Sequence, residues 1–153
     1  MLDQMAEMLA GMTGFAKNIA GKQRAKCETL FHGLYDLSDE EAKAKKVGGG
    51  TTLYYFKEMG QHPAESYLEH LTKPLLVLQG GMDFQVKPDV DYAMHQQLLS
   101  GRENATFRLY PKLNHVFMPG IYGSITKAKQ EYRVEQRMSG EVIADIAAWI
   151  HEN

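Results

Sequence analysis

The chain predicts an α/β fold, and three observations carry that expectation. Leu75–Leu78 is a short apolar run without alternation, as expected of a strand covered on both faces, and Ala105–Tyr110 reads as the next strand. A proline-initiated helical pattern lies between them, so the segment is a βαβ unit with parallel strands and a right-handed crossover. A third apolar pattern, Val142, Ile143, Ile146, Ala147 and Ile150 with Trp149 beside it, reads as a closing helix introduced by Ser139.

The elements follow in order. Residues 2 to about 31 carry Leu2, Met5, Met8, Leu9, Met12, Phe15 and Ile19 at spacings of three and four, the stripe of an amphipathic helix. Gly11, Gly14 and Gly21 are places for it to bend or break. Ser38 and Glu41 form a capping-box pattern that opens a short helix to about Lys46, ended by Gly48-Gly49-Gly50. Thr51 to Phe56, β-branched and aromatic, is predicted as a short strand, and Ala64 to Leu71 as a helical turn or two. Pro88 suits the first position of a helix continued by Val90, Ala93, Met94, Gln97 and Leu98.

Composition bounds the function. The 153 residues allow one domain of ordinary size, and 44% hydrophobic with 24% charged residues fits a globular protein. A net charge of −2 gives no general attraction to nucleic acid or anionic membrane. No run approaches the roughly 18 apolar residues of a membrane span. The start of the chain lacks the basic, apolar pattern of a signal peptide. The lone Cys27 excludes an internal disulfide and a cysteine zinc cluster, and is compatible with a cytoplasmic location.

The chemistry concentrates after the two strands. Leu75 to Val86 ends a strand in Gly80-Gly81-Met82-Asp83, which places a carboxylate beyond its C-terminal end, where open parallel sheets bind ligands. Phe107 to Phe117 carries His115 beyond the next strand, thirty-two positions after Asp83. Neighbouring parallel strands are about 4.8 Å apart, so the two loops can bring the carboxylate to the imidazole, at about 3 Å if the site is preformed. Asp83 would then orient the ring while its other nitrogen serves as a base. Taken singly, Asp83 equally suits a turn that caps the helix near Pro88, and His115 suits a structural role beside a proline turn. No further His or Cys stands at ligand spacing, so neither a metal nor another cofactor is expected.

Together the stretches Leu78-Gln79-Gly80-Gly81-Met82-Asp83-Phe84-Gln85-Val86 and Leu109-Tyr110-Pro111-Lys112-Leu113-Asn114-His115-Val116-Phe117 resemble the dienelactone-hydrolase and prolyl-oligopeptidase-like esterase branch of the α/β hydrolases. The resemblance is strong over 74–118, moderate over the terminal helix at 139–152 and loose over 1–72. It implies that Asp83 is the triad acid and His115 the base. It implies further that residues 73–153 are the C-terminal part of a doubly wound parallel sheet, with 1–72 a helical lid.

The chain departs from that family in lacking both the nucleophile elbow and the oxyanion site that goes with it. Ser38, Ser66, Ser100, Ser124 and Ser139 all lack the G-x-S-x-G elbow, and Cys27 lies in a helical pattern beside Glu28. The expectation is therefore the C-terminal portion of a serine hydrolase acting on a carboxylic ester or related acyl bond, with acid and base but no nucleophile. The rival is a non-catalytic truncated module that binds a partner. Two strands are too few for a self-sufficient sheet, so the expected partner is a second copy, as a homodimer, or the missing N-terminal half. The substrate in the complete enzyme would be a small ester or acyl compound.

Overall fold

The computed structural model describes residues 2–47 and 50–153, which form two compact units, 1–67 and 68–153. The sequence division falls slightly later, at 72/73. Met1 and most of the Gly48-Gly49-Gly50 stop lie outside the described residues.

The first unit is helical. Helix α1 spans Leu2–Ala10 and α2 spans Gly14–His32. The expected single stripe thus breaks at Gly11–Thr13, with Gly14 at φ 61, whereas Gly21 continues α2 without interruption. Helix α3, Asp39–Ala44, has the expected capping box: the Ser38 hydroxyl accepts from Glu41 N at 3.3 Å, and Glu41 Oε2 accepts from Ser38 N at 2.8 Å. It stops two residues before Lys46.

The predicted strand at Thr51–Phe56 is a helix. Helix α4 spans Leu53–Gln61, and Thr52 keeps only an isolated antiparallel bridge to Lys46. Burial explains the difference. Leu53 and Lys57 are both buried while Tyr55 between them is half exposed, a helical rather than an alternating period. Lys57 Nζ donates to Leu37 O at 2.8 Å and to Asp39 Oδ1 at 2.7 Å, so the buried ammonium is satisfied. Leu34, Ala42, Val47 and Leu53 form the core of this unit, and Phe31 meets Phe56 edge to face at 5.0 Å. Helix α5, Ala64–Leu68, is the expected short turn.

The second unit holds the sheet. Strand β1, Leu75–Gly80, pairs in parallel with β2, Ala105–Tyr110, in the register Leu75↔Ala105 to Gly80↔Tyr110. The connection is a wide turn at Pro88–Tyr92, with Pro88 opening it as expected, followed by α6, Ala93–Leu98. Tyr92 packs edge-on against Phe107 of β2 at 5.7 Å and so seats this crossover on the sheet. Among the described residues the sheet has these two strands only.

Two elements complete the chain: the short α7, Ala128–Glu131, and α8, Gly140–Glu152. Ser139 precedes α8 but makes no side-chain cap, contrary to expectation. The expected apolar face of α8 is only partly used. Val142 is fully buried in a core with Tyr110 and Leu113, and Ile146 packs on that core. Ile143 and Ile150 are 55% and 61% exposed. Trp149 Nε1 donates to Thr106 Oγ1 at 3.2 Å, which ties the end of the helix to β2. No helix among the described residues is long and apolar enough to cross a membrane.

Candidate functional site

Both candidate residues leave the same end of the sheet, each on the loop that follows its strand. After Gly80 the chain turns sharply: Gly81 N donates to Tyr110 O at 2.7 Å, and Met82 N to Leu113 O at 2.9 Å. These bonds staple the acid loop to the base loop. A Cβ on Gly80 would stand 2.5 Å from the carbonyl oxygens of both Leu113 and Asn114, and one on Gly81 would stand 2.6 Å from Pro111 Cα. The two glycines are thus required by close approach of backbone to backbone.

Asp83 Oδ2 lies 2.9 Å from His115 Nδ1, where the sequence reading expects about 3 Å. The Asp83 side chain is 5% exposed and the His115 side chain 40% exposed, so an enclosed carboxylate holds an accessible imidazole. The second carboxylate oxygen is committed elsewhere: Oδ1 accepts from Gln85 N at 2.8 Å and Val86 N at 2.9 Å. These contacts close a turn over Gln85 and Val86, whereas the cap on the helix near Pro88 that the sequence allows for Asp83 is not made: Lys87 precedes that helix and makes no side-chain cap. Buried Gln79 adds a further donor, with Nε2 3.2 Å from Asp83 Oδ2 while also reaching Gly80 O and Val86 O. Four donors thus converge on one carboxylate and leave it one orientation.

The base loop is equally constrained. Asn114, fully buried, accepts through Oδ1 from Val116 N at 3.1 Å and Met118 N at 3.2 Å. Its own backbone N donates to Met118 O, and its carbonyl accepts from Phe117 N. Phe117 sits at φ 56, a left-handed backbone for a residue with a Cβ, and its ring packs edge-on against Tyr110 at 6.0 Å. The Asn114 amide also donates to Glu131 Oε1 at 3.1 Å.

Gln79 and Glu131 are the residues that sequence reasoning missed. Gln79 looks like an unremarkable polar position within an apolar run. Its signal is that very interruption, since a buried strand tolerates glutamine only where its amide is satisfied. Glu131 lies in a stretch without periodicity and carries no local signal.

Arranged in this way, the imidazole has Nδ1 engaged by a carboxylate and Nε2 as its remaining proton-transfer atom. This is a general-base geometry. Among the described residues no serine hydroxyl hydrogen-bonds His115. Ser38 caps α3, the Ser66 hydroxyl donates to Pro63 O, and the Ser124 hydroxyl pairs with Thr126 Oγ1. Cys27 is a buried free thiol in the first unit. No group of three or more His, Cys, Asp or Glu side chains converges on a metal position among the described residues.

The chain is similar to Esterase EstD of Thermotoga maritima, with 33% identity over 123 residues. That match covers 80% of this chain and 29% of the relative, so the chain spans less than a third of the relative's length. No family model matches the chain. No solved structure matches it either.

Proposed function

We propose that the chain is the C-terminal portion of a serine hydrolase that cleaves a carboxylic ester or related acyl bond. Asp83 is the orienting acid and His115 the base, and the nucleophile belongs to polypeptide outside these 153 residues. The observation that carries the reading is the 2.9 Å contact between the enclosed Asp83 carboxylate and the accessible His115 ring. The esterase named as its relative supports the reaction class. The match to less than a third of that relative supports a partial chain.

In the reaction Asp83 keeps the proton on Nδ1, so Nε2 is free to take the proton of a serine hydroxyl as that oxygen attacks the acyl carbon. The imidazolium then returns the proton to the departing alkoxide. Water repeats the sequence to release the acid. Asp83 remains ionised throughout and stabilises the transient imidazolium. On this reading β1 and β2 are the last strands of a doubly wound parallel sheet and residues 1–72 are a helical lid. A cytoplasmic setting goes with the single, buried Cys27.

The test has two parts. The 153-residue chain should hydrolyse p-nitrophenyl esters no faster than His115→Ala plus ordinary imidazole catalysis. The polypeptide encoded in frame with its upstream DNA should carry a strand-G-x-S-x-G-helix segment and show saturable esterase activity. That activity should fall about 10⁴-fold on Asp83→Asn. Saturable turnover by the short chain, with a fluorophosphonate label on one of its own serines, would place the nucleophile within it and refute the assignment.

A second reading is a non-catalytic module that self-associates or binds a partner protein. The observation in its favour is a groove of about 370 Å³ along β1, lined by Leu75, Leu76, Val77, Tyr92 and His95. It lies on the strand whose second edge is unpaired among the described residues.

A further inference from the structure

Glu131 has no part in the chemistry just described, yet it is a fully buried carboxylate at 0% exposure. A charge is kept in such a place only if its surroundings satisfy it. Here Oε1 accepts from Asn114 Nδ2 and from Ile121 N, both at 3.1 Å, and Oε2 accepts from Tyr122 N at 2.8 Å. Burial alone pushes its carboxyl upward. The donors from Tyr122, Asn114, Ile121 and Gly123 outweigh that and hold the carboxyl below its usual value.

An ionised carboxylate can only accept. It therefore decides which way round the Asn114 amide sits: nitrogen toward Glu131, oxygen toward the loop. That oxygen is the acceptor for Val116 N and Met118 N, which close the turn around His115. The charge at Glu131 is thus relayed, through one amide orientation, to the backbone on either side of the imidazole.

We propose that Glu131 is a positioning residue for His115: it locks the Asn114 amide and thereby holds the imidazole on Asp83. The inference rests on the hydrolase reading above for its functional meaning. Its geometry is testable without turnover. Glutamine at 131 would present an NH₂ where two backbone N–H groups and an amide nitrogen already point. Either one of those donors loses its acceptor, or the Asn114 amide reverses and faces Val116 N and Met118 N with a donor. Reversal of the Asn114 amide, or loss of its acceptor at residue 131, releases the turn that carries His115.

The experiment is nitrogen-15 NMR on the histidine-labelled full chain, reading the ratio of the Nδ1–H to the Nε2–H tautomer of neutral His115. The wild type should favour Nδ1–H, and Asp83→Asn should abolish that preference. Glu131→Gln should lower the ratio by about tenfold, the effect of losing roughly one buried hydrogen bond's worth of bias. Tyr110→Phe, which removes a hydrogen bond elsewhere in the same unit, should leave the ratio unchanged. A Glu131→Gln chain with the wild-type ratio would overturn the proposal and reduce Glu131 to a stability residue. If Glu131→Gln does not fold, Glu131→Asp replaces it: the charge is kept but withdrawn, and an unchanged ratio there overturns the proposal equally. A wild-type ratio that ignores Asp83→Asn would instead refute the acid–base pair itself, which is a different failure from that of Glu131.

Discussion

Gly80→Ala tests whether the two loops are in the contact that the site needs. The added methyl would lie 2.5 Å from Leu113 O and from Asn114 O, inside the 3.0 Å limit for real contacts. Both obstacles are backbone, so no side chain can swing aside, and β1 is held in register by the pairing of Gly80 with Tyr110. The base loop must therefore retreat. Overpacking of this kind costs about 1–3 kcal/mol. The retreat also strains the Met82 N to Leu113 O and Phe117 N to Asn114 O bonds, each worth about 0.5–1.5 kcal/mol. A total near 4 kcal/mol should lower the melting temperature of a unit of this size by about 15–30 °C. The protein's one tryptophan, Trp149, is anchored to β2 and reports this unit by fluorescence. Gly140→Ala is the matched control: nothing lies within 4 Å of its Cβ position, so its melt should stay near wild type. A Gly80→Ala chain that melts within about 3 °C of wild type would refute the close approach, and with it the stapling of acid loop to base loop.

Two further outcomes are expected. Burial, with the hydrogen bond to Asp145 Oδ2 second, pushes the Tyr110 hydroxyl up to about 12. Its folded value lies above its unfolded one, so this contribution is complete below pH ~10 and is lost as the pH rises toward 12. The loss is on the order of 2–3 kcal/mol, and melts by circular dichroism over that interval should fall less steeply for Tyr110→Phe; equal slopes would contradict the assignment. Under the partner-binding reading, sedimentation equilibrium should show a dimer at tens of micromolar that dissociates when a lysine replaces Val77 on β1. A well-folded monomer would count against self-association.

What the sequence revealed depended on whether a signal was local. The strand at Leu75–Gly80 opens on a short apolar run, that at Ala105–Tyr110 is a short segment with β-branched and aromatic residues, and the loops after them carry Asp83 and His115. Thr51–Phe56 has the β-branched and aromatic composition of a strand and the burial period of a helix. The helix is distinguished by burial of Leu53 and Lys57 around an exposed Tyr55, and the burial of Lys57 depends on an ion pair with Asp39, eighteen positions away. The apolar face of α8 was visible as a pattern, yet packing engages Val142 and Ile146 and leaves Ile143 and Ile150 in solvent. Glu131 was invisible for a related reason. Its significance is the set of donors aimed at it by Asn114, Ile121 and Tyr122, and no spacing rule encodes that convergence.

The turn that bears the imidazole has one more attachment. Ser139 N donates to Phe117 O at 2.8 Å, so the residue in the left-handed conformation is clasped by the very residue that introduces α8. Whatever free energy this bond shares between docking of the thirteen-residue helix and the posture of His115 acts on both in equal measure. A small molecule that grips the imidazole must resist peeling of the terminal helix by the same factor with which peeling would weaken its grip. Trimming of the tail by a protease, or a bulky extension fused to it, would act on the proton-transfer atom from the far end of the chain without touching it.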